Sequence, residues 1–149
     1  MNKLVEYRLN KASEAEIAEH LWLCDTDFMP PMSGRVDIND YAKKIAGKAT
    51  RFEAWIDDKL VGLVAVYCND MEKRTAYITS VSVLREATGK GIAESLMKRC
   101  IERKKALGMR QISLEVASDN IPAIRLYEKC GFVARRAKPP FVTMDLYLK

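Results

Sequence analysis

Of 149 residues only four are cysteine and one is histidine, a scarcity that removes much chemistry at once. Cys24, Cys68, Cys100 and Cys130 contain no Cys-x-x-Cys pair and His20 stands alone, so the clustered ligands of a structural zinc site are missing and no metal is expected. No apolar run approaches the roughly 20 residues that span a bilayer. The first residues, MNKLVEYRLNKASEAE, are too charged for a secretory leader. A cytoplasmic protein with reduced thiols, not engaged with a membrane, is therefore expected. Surface aromatics interleaved with basic residues are lacking as well, so the net charge of +5 suits a small polyanion better than nucleic acid. There is no internal repeat or low-complexity stretch, and the length suits one domain with its own core.

What is present concentrates between Thr75 and Leu107, TAYITSVSVLREATGKGIAESLMKRCIERKKAL. Tyr77 to Val83 is rich in β-branched residues, and period-2 reading puts Tyr77, Thr79, Val81 and Val83 on one face and Ile78, Ser80 and Ser82 on the other, as in an internal strand. From Ile92 the rows Ile92, Leu96, Cys100 and Ala93, Met97, Ile101 predict an amphipathic helix, with Glu94, Lys98, Arg99, Glu102 and Arg103 mostly toward water. Between them lies Gly89-Lys90-Gly91, where the first helical amides have no intrahelical acceptor. Without Cβ atoms at two positions a phosphate can approach those amides, and the helix dipole favours it, although the same Gly-x-Gly also serves as a plain tight turn. A dinucleotide site would place a third glycine where Glu94 stands and would use a shorter connection than Leu84 to Thr88, which weakens that reading; Glu115, near the position of a ribose carboxylate, keeps it from being excluded. A Walker loop would follow Gly-Lys with Ser or Thr, and Gly91 stands there instead.

The remaining elements follow from caps and periodicity. Leu4 to Leu9 is expected as an edge strand. Ser13 and Glu16 form a capping box for a helix with Ile17, Leu21 and Cys24 on one row, and His20 on that helix is expected at the surface or boundary. Asp25 to Val36 has no periodicity and Pro30-Pro31 forbids a helix through it, giving a loop with apolar anchors Phe28, Met29 and Met32. Asp37 caps a helix ending at Gly47. Arg51–Ile56 and Leu60–Tyr67 form a hairpin. Gly108 ends the basic helix, and the strand from Gln111 sets Ile112, Leu114 and Val116 against Ser113 and Glu115. Asn120 starts a helix that tolerates Pro122 in its first turn and ends at Gly131. Phe132–Ala134 and Phe141–Leu148 are expected as closing strands around a basic loop, Arg135 to Pro140.

Two stretches resemble, in the right order and separation, motifs of the GNAT superfamily of acyl-CoA-dependent N-acyltransferases. Thr88-x-x-Gly91-x-Ala93 matches the family's Arg/Gln-x-x-Gly-x-Gly/Ala between strand and helix, and Asn120, Ala123, Leu126, Tyr127, Glu128, Gly131 and Phe132 match Asn-x-x-Ala…Leu-Tyr-Glu…Gly-Phe. The resemblance is strong from about Ala54 to Phe132 and topological outside. Thr88 departs from the family's Arg or Gln, leaving Lys90 or Arg85 to supply positive charge. The resemblance implies an α+β fold in which residues 1–149 form a single N-acetyltransferase domain. Its mostly antiparallel twisted sheet would have about seven strands, split to admit acyl-CoA and flanked by about four helices. It further implies acetyl-CoA as acyl donor, its pantetheine arm on the backbone of Val81 and Val83 and near Asn120, and its pyrophosphate on Gly89, Lys90, Gly91, Ile92, Ala93 and Glu94.

The implied reaction is direct attack by a primary amine of a small molecule or peptide. An alkylammonium with pKa about 10.4 must lose its proton first. Glu115 is the candidate base, against the plain reading of a solvated strand glutamate. Tyr127 is the candidate acid for the departing thiolate and a cofactor contact, against the reading of a packing tyrosine. The Asp25–Val36 loop would wall the acceptor groove, with Arg35 or the Arg135, Arg136 and Lys138 cluster suited to an acceptor bearing phosphate or carboxylate. A non-catalytic acyl-CoA sensor or interaction domain on the same fold is the alternative, and oligomeric state is left open, a homodimer included.

Overall fold

The computed structural model describes residues 4–28 and 30–148; Met29, expected among the loop anchors, lies outside them. In chain order the elements are β1 (Glu6–Leu9), α1 (Glu14–Cys24), α2 (Ile38–Lys48), β2 (Thr50–Ile56), β3 (Lys59–Asp70), β4 (Thr75–Val83), α3 (Ile92–Ala106), β5 (Gln111–Ala117), α4 (Ile121–Lys129), β6 (Val133–Lys138) and β7 (Phe141–Tyr147). The strands form one sheet in the order β1-β2-β3-β4-β5-β7-β6. All neighbours are antiparallel except β4 and β5, so the fold is α+β with one parallel seam. β1 is an edge, as its weak alternation predicts.

Capping decides where the helices begin. The Ser13–Glu16 box forms in both directions at α1. Asp37 accepts the Asp40 N–H at 3.0 Å, and Asn120 accepts that of Ala123 at 3.4 Å. α2 runs one residue past the expected Gly47 stop, to Lys48. Helices cover both faces of the sheet. Ile92, Leu96, Met97 and Cys100 of α3 and Tyr127 of α4 pack with Val64, Ile112 and Leu114 on one side. Ile17 and Leu21 of α1 and Ala42 and Ile45 of α2 pack with Leu63 and Ala65 on the other. On the first side Gly62 lets α3 lie directly against β3: a Cβ there would fall 2.8 Å from Ile92 Cγ2 and 3.2 Å from Ala54 Cβ.

Three expectations are corrected. His20 is buried, not at the surface: one ring nitrogen, Nδ1, lies 3.1 Å from Leu60 O, and Nε2 lies 2.8 Å from Ser82 Oγ. A carbonyl can only accept, so Nδ1 carries the proton and Nε2 accepts from the serine hydroxyl. Second, Arg135 to Lys138 is strand rather than loop; β6 spans Val133–Lys138 with every residue exposed, which erases the alternation that would have announced it. Third, β4 does not keep one alternation throughout. Ala65 pairs with Ser80 but the next residue, Val66, pairs with Ile78, so Thr79 is an extra residue, a bulge. Beyond it the faces exchange: Ser80 and Ser82 sit opposite Ala65 and Leu63 on the α1/α2 side, while Val81 and Val83 sit opposite Val64 and Gly62 on the α3 side. Tyr41 of α2 holds the bulge by donating its hydroxyl to Thr79 O at 2.7 Å.

Candidate active site

The bulge is where the sheet opens. β4 and β5 pair from Thr75 with Gln111 to Ile78 with Leu114 and no further, although β4 continues along β3 to Val83 and β5 continues along β7 to Ala117. The gap is a cleft of about 480 Å³ lined by Val81, Val83, Glu115, Asn120 and Tyr127 among others. Its β4 wall offers free backbone. The Leu84 N–H donates to Val61 O at 2.8 Å, which fixes the phase of the β3–β4 ladder. In an antiparallel pair, alternate residues bond the neighbour with both groups or with neither. Ser80 and Ser82 therefore bond β3, and the peptide groups of Val81 and Val83 face the cleft.

At the far end of that wall the chain turns through Arg85–Ala87 and enters α3. Gly89 (φ +81°) and Gly91 (φ +74°) are both left-handed, conformations that L side chains resist, which is why glycine stands at these positions. No side chain caps α3, and its first intrahelical acceptor, Gly91 O, is taken by Ser95 N–H at 3.0 Å. The amides of Ile92, Ala93 and Glu94 are thus left without helical partners beside a hollow of about 350 Å³ continuous with the cleft through Val83, Thr88, Ala93 and Leu126. Glu94 brings a carboxylate here, but Lys129 Nζ at 2.7 Å and Lys98 Nζ at 3.7 Å surround it, so the locality stays cationic. The Lys129 hydrogen bond holds the Glu94 carboxyl below its ordinary range. Lys90 is exposed at the same turn. Arg85, the other candidate cation, is instead paired with Asp27, and Thr88 spends its hydroxyl on Arg85 O at 2.7 Å.

Tyr127 is buried on α4, its ring tilted 60° to that of Phe132 at 6.2 Å. Burial pushes its phenol above the ordinary value. The same environment acts on Cys24, another cleft residue, whose thiol burial raises to about 12, with Asp27 adding to the shift. Asn120 reaches the cleft from the cap of α4.

On the other mouth of the cleft, Glu115 is exposed, on the face of β5 opposite Leu114 and Val116. Tyr77 lines the same cleft as Glu115 and Arg35. Burial and then the Glu115 carboxylate raise its phenol, while Arg35 opposes them. The Asp25–Val36 segment, with short helical turns at Asp25–Asp27 and Met32–Gly34, supplies the wall. Asp25 braces it by accepting the N–H and the hydroxyl of Ser33, both at 2.7 Å, and Phe28, Met32 and Arg35 line the cleft. Pattern reading missed Ser80, whose buried hydroxyl has no hydrogen-bond partner among the described residues, and the Thr79 bulge. The Arg135, Arg136 and Lys138 cluster is not brought to the cleft; Arg135 lies 4.0 Å from Asp145 and over the Tyr147 ring. No group of three or more metal-ligating side chains occurs among the described residues, and no helix among them is long and apolar enough to cross a membrane.

Comparison with known proteins agrees with this geometry. Residues 4–132 match the acetyltransferase (GNAT) family. Over 84 residues the chain is 37% identical to a streptothricin acetyltransferase of Escherichia coli, covering 54% of this chain and 45% of that protein. Over 75 residues it is 36% identical to a spermidine N(1)-acetyltransferase of Vibrio cholerae, covering 50% and 43%. It thus spans about half the length of these curated relatives. Among solved structures, a Bacillus subtilis acetyltransferase in complex with CoA superposes with TM-score 0.74 at 20% identity, over 98% of this chain and 100% of that one. The ribosomal-protein-S18-alanine N-acetyltransferase of Escherichia coli superposes with TM-score 0.78 at 15% identity, over 98% and 95%. These structural likenesses speak for the fold, and the match over residues 4–132 speaks for descent: the chain belongs to the acetyltransferase (GNAT) family.

Proposed function

We propose that the chain is a single-domain cytoplasmic N-acetyltransferase that moves an acetyl group from acetyl-CoA to a primary amine by direct attack. The observation that carries this reading is the continuity of one surface: free peptide groups at Val81 and Val83 lead along the open edge of β4 to the unpartnered amides of Ile92, Ala93 and Glu94 behind two left-handed glycines. An extended amide-bearing chain ending in a diphosphate fits that surface, the arm adding to the strand edge and the anion resting on the helix N-terminus. Gly89, Lys90 and Gly91 shape and charge the seat, and Asn120 meets the arm from the opposite wall. The acetyltransferase names of its relatives and the CoA complex of the structural neighbour favour the same donor.

The thioester supplies an activated acyl carbon, and the protein supplies proton management. Glu115 takes a proton from the incoming ammonium, directly or through water, and Tyr127 donates a hydrogen bond to the departing sulfur. A phenol of raised pKa is a poor acid against an ordinary thiol. Desolvation raises a thiol as it raises a phenol, the direction seen at Cys24, so a sulfur leaving inside the cleft is a stronger base than in water. The neutral amine attacks the acyl carbon, the C–N bond forms as the C–S bond breaks, the sulfur leaves with the Tyr127 proton, and the second proton lost by the nitrogen restores the phenol through water.

The test has two stages. Thermal unfolding with acetyl-CoA, NAD or ATP compares donors; acetyl-CoA at a hundred times its dissociation constant adds about 2.7 kcal/mol and the others add little. Free-thiol release from acetyl-CoA across a panel of amines then measures transfer. No stabilisation by acetyl-CoA, or no amine-dependent thiol, overturns the reading.

A further inference from the structure

The acceptor mouth carries two opposite charges held apart. Glu115 makes no ion pair among the described residues, and neither does Arg35. The other carboxylate at the cleft, Asp27, is occupied by Arg85. Tyr77 lines the same cleft as both, and its phenol feels the two charges with opposite sign.

Arg35 is also set in place rather than loose. Its N–H donates to Met32 O at 2.9 Å, Met32 is buried, and the same turn is braced by Asp25 through Ser33. Its guanidinium then lies across the cleft over the ring of Phe141, 5.5 Å from the centroid, joining the α1–α2 segment to the start of β7. The guanidinium donates no hydrogen bond and makes no ion pair among the described residues, so its N–H fork is free to take two carboxylate oxygens at once.

We infer that the acceptor is an amino-acid-type zwitterion, a small primary amine that also carries a carboxylate, with Arg35 gripping the carboxylate and Glu115 receiving the ammonium. This rests on the transfer reaction proposed above. A polyamine fits less well, because its additional cations would meet Arg35 in a mouth with Glu115 as the one unpaired carboxylate among the described residues. A plain alkylamine leaves Arg35 without a partner. Phe28, Met32 and Tyr77 flank the two charges and would take the apolar part of the molecule.

The experiment measures kcat/KM by thiol release for matched sets: α- and ω-amino acids, their carboxamides, the corresponding alkylamines, spermidine and O-phosphoethanolamine. Wild type is expected to favour amino carboxylates over their amides by about tenfold or more, as for a charged hydrogen-bonded contact. Arg35→Gln should erase that preference mainly through KM, while stabilisation by acetyl-CoA is unchanged because Arg35 lies away from the donor seat. Equal use of amines and amino carboxylates, a lead for spermidine or the phosphate, or a preference that survives Arg35→Gln overturns the zwitterion and leaves the transfer reaction standing. Silence toward every amine, with acetyl-CoA still stabilising the fold, overturns both.

Discussion

Gly62→Ala tests whether the packing of α3 on β3 sets the donor seat. The added methyl would lie 2.8 Å from Ile92 Cγ2, 3.1 Å from Leu96 Cδ1 and 3.2 Å from Ala54 Cβ. Leu96 can swing its terminal methyl. Ile92 is β-branched and buried, and Ala54 is fixed in β2, so the helix must move. Overpacking of this kind costs about 2 kcal/mol. For a chain of this size that lowers the melting midpoint by roughly 4–8 °C. Ile92 is also the first residue of α3, so its displacement shifts the amides beside Gly91, and the stabilisation added by acetyl-CoA should shrink in parallel. Scanning calorimetry with and without acetyl-CoA reads both effects. A double-mutant cycle isolates the cause: Gly62→Ala in an Ile92→Ala background should cost about 1 kcal/mol less than in wild type, because the nearest obstacle is gone. Strictly additive effects, or a Gly62→Ala protein with wild-type midpoint and wild-type acetyl-CoA response, would refute this account of how the helix is placed.

His20 should make stability depend on pH. Burial lowers its folded pKa to about 4 from 6.5, so the unfolded chain binds the proton first as pH falls. Its contribution is full above 6.5 and is lost between 6.5 and 4, about 3 kcal/mol in all. Urea titrations at several pH values should show that slope, and a His20→Leu protein should lose it whatever its absolute stability. Gly91→Ala meets no steric obstacle, so only the left-handed backbone is penalised, by about 1 kcal/mol, with weaker acetyl-CoA binding seen by calorimetric titration. Tyr127→Phe should lower kcat about a hundredfold while acetyl-CoA still raises the melting midpoint; undiminished turnover would assign the ring to packing alone. In Glu115→Gln the rate deficit should close as pH approaches about 10, where the amine is neutral unaided.

Elements whose residues report their own surroundings were legible before folding. The Ser13–Glu16 box, the Ile92–Leu96–Cys100 row and the Asn120 cap depend on neighbours three or four residues away, and each forms as read. What was hidden depends on distant partners. His20 is satisfied by Leu60 and Ser82, forty and sixty-two residues away, and no local pattern can announce that. Lys104 continues the Ile92–Leu96–Cys100 row onto the buried face of α3, where only distant partners make a charge tolerable: its ammonium donates to Thr50 Oγ1 at 3.2 Å, with Cys68 Sγ at 3.3 Å. The bulge was invisible for another reason: Tyr-Ile-Thr-Ser-Val-Ser-Val alternates evenly in either register, and only the pairing with β3 shows that one residue is skipped. At the site, the glycine turn and the Asn120–Phe132 motif marked the donor side. The acceptor side, drawn from Arg35, Tyr77, Glu115 and Phe141 on four separate segments, left only scattered traces.

The skipped residue at Thr79 gives β4 two allegiances. Upstream of it the strand is mortar between β3 and β5; downstream it keeps one partner and leaves its other flank to a visitor. Because the Tyr41 hydroxyl grips the joint from α2, any shift of that helix would be felt where the two halves meet. The wall of the mouth and the free strand edge are thus moored at one residue, and a substitution there would disturb both.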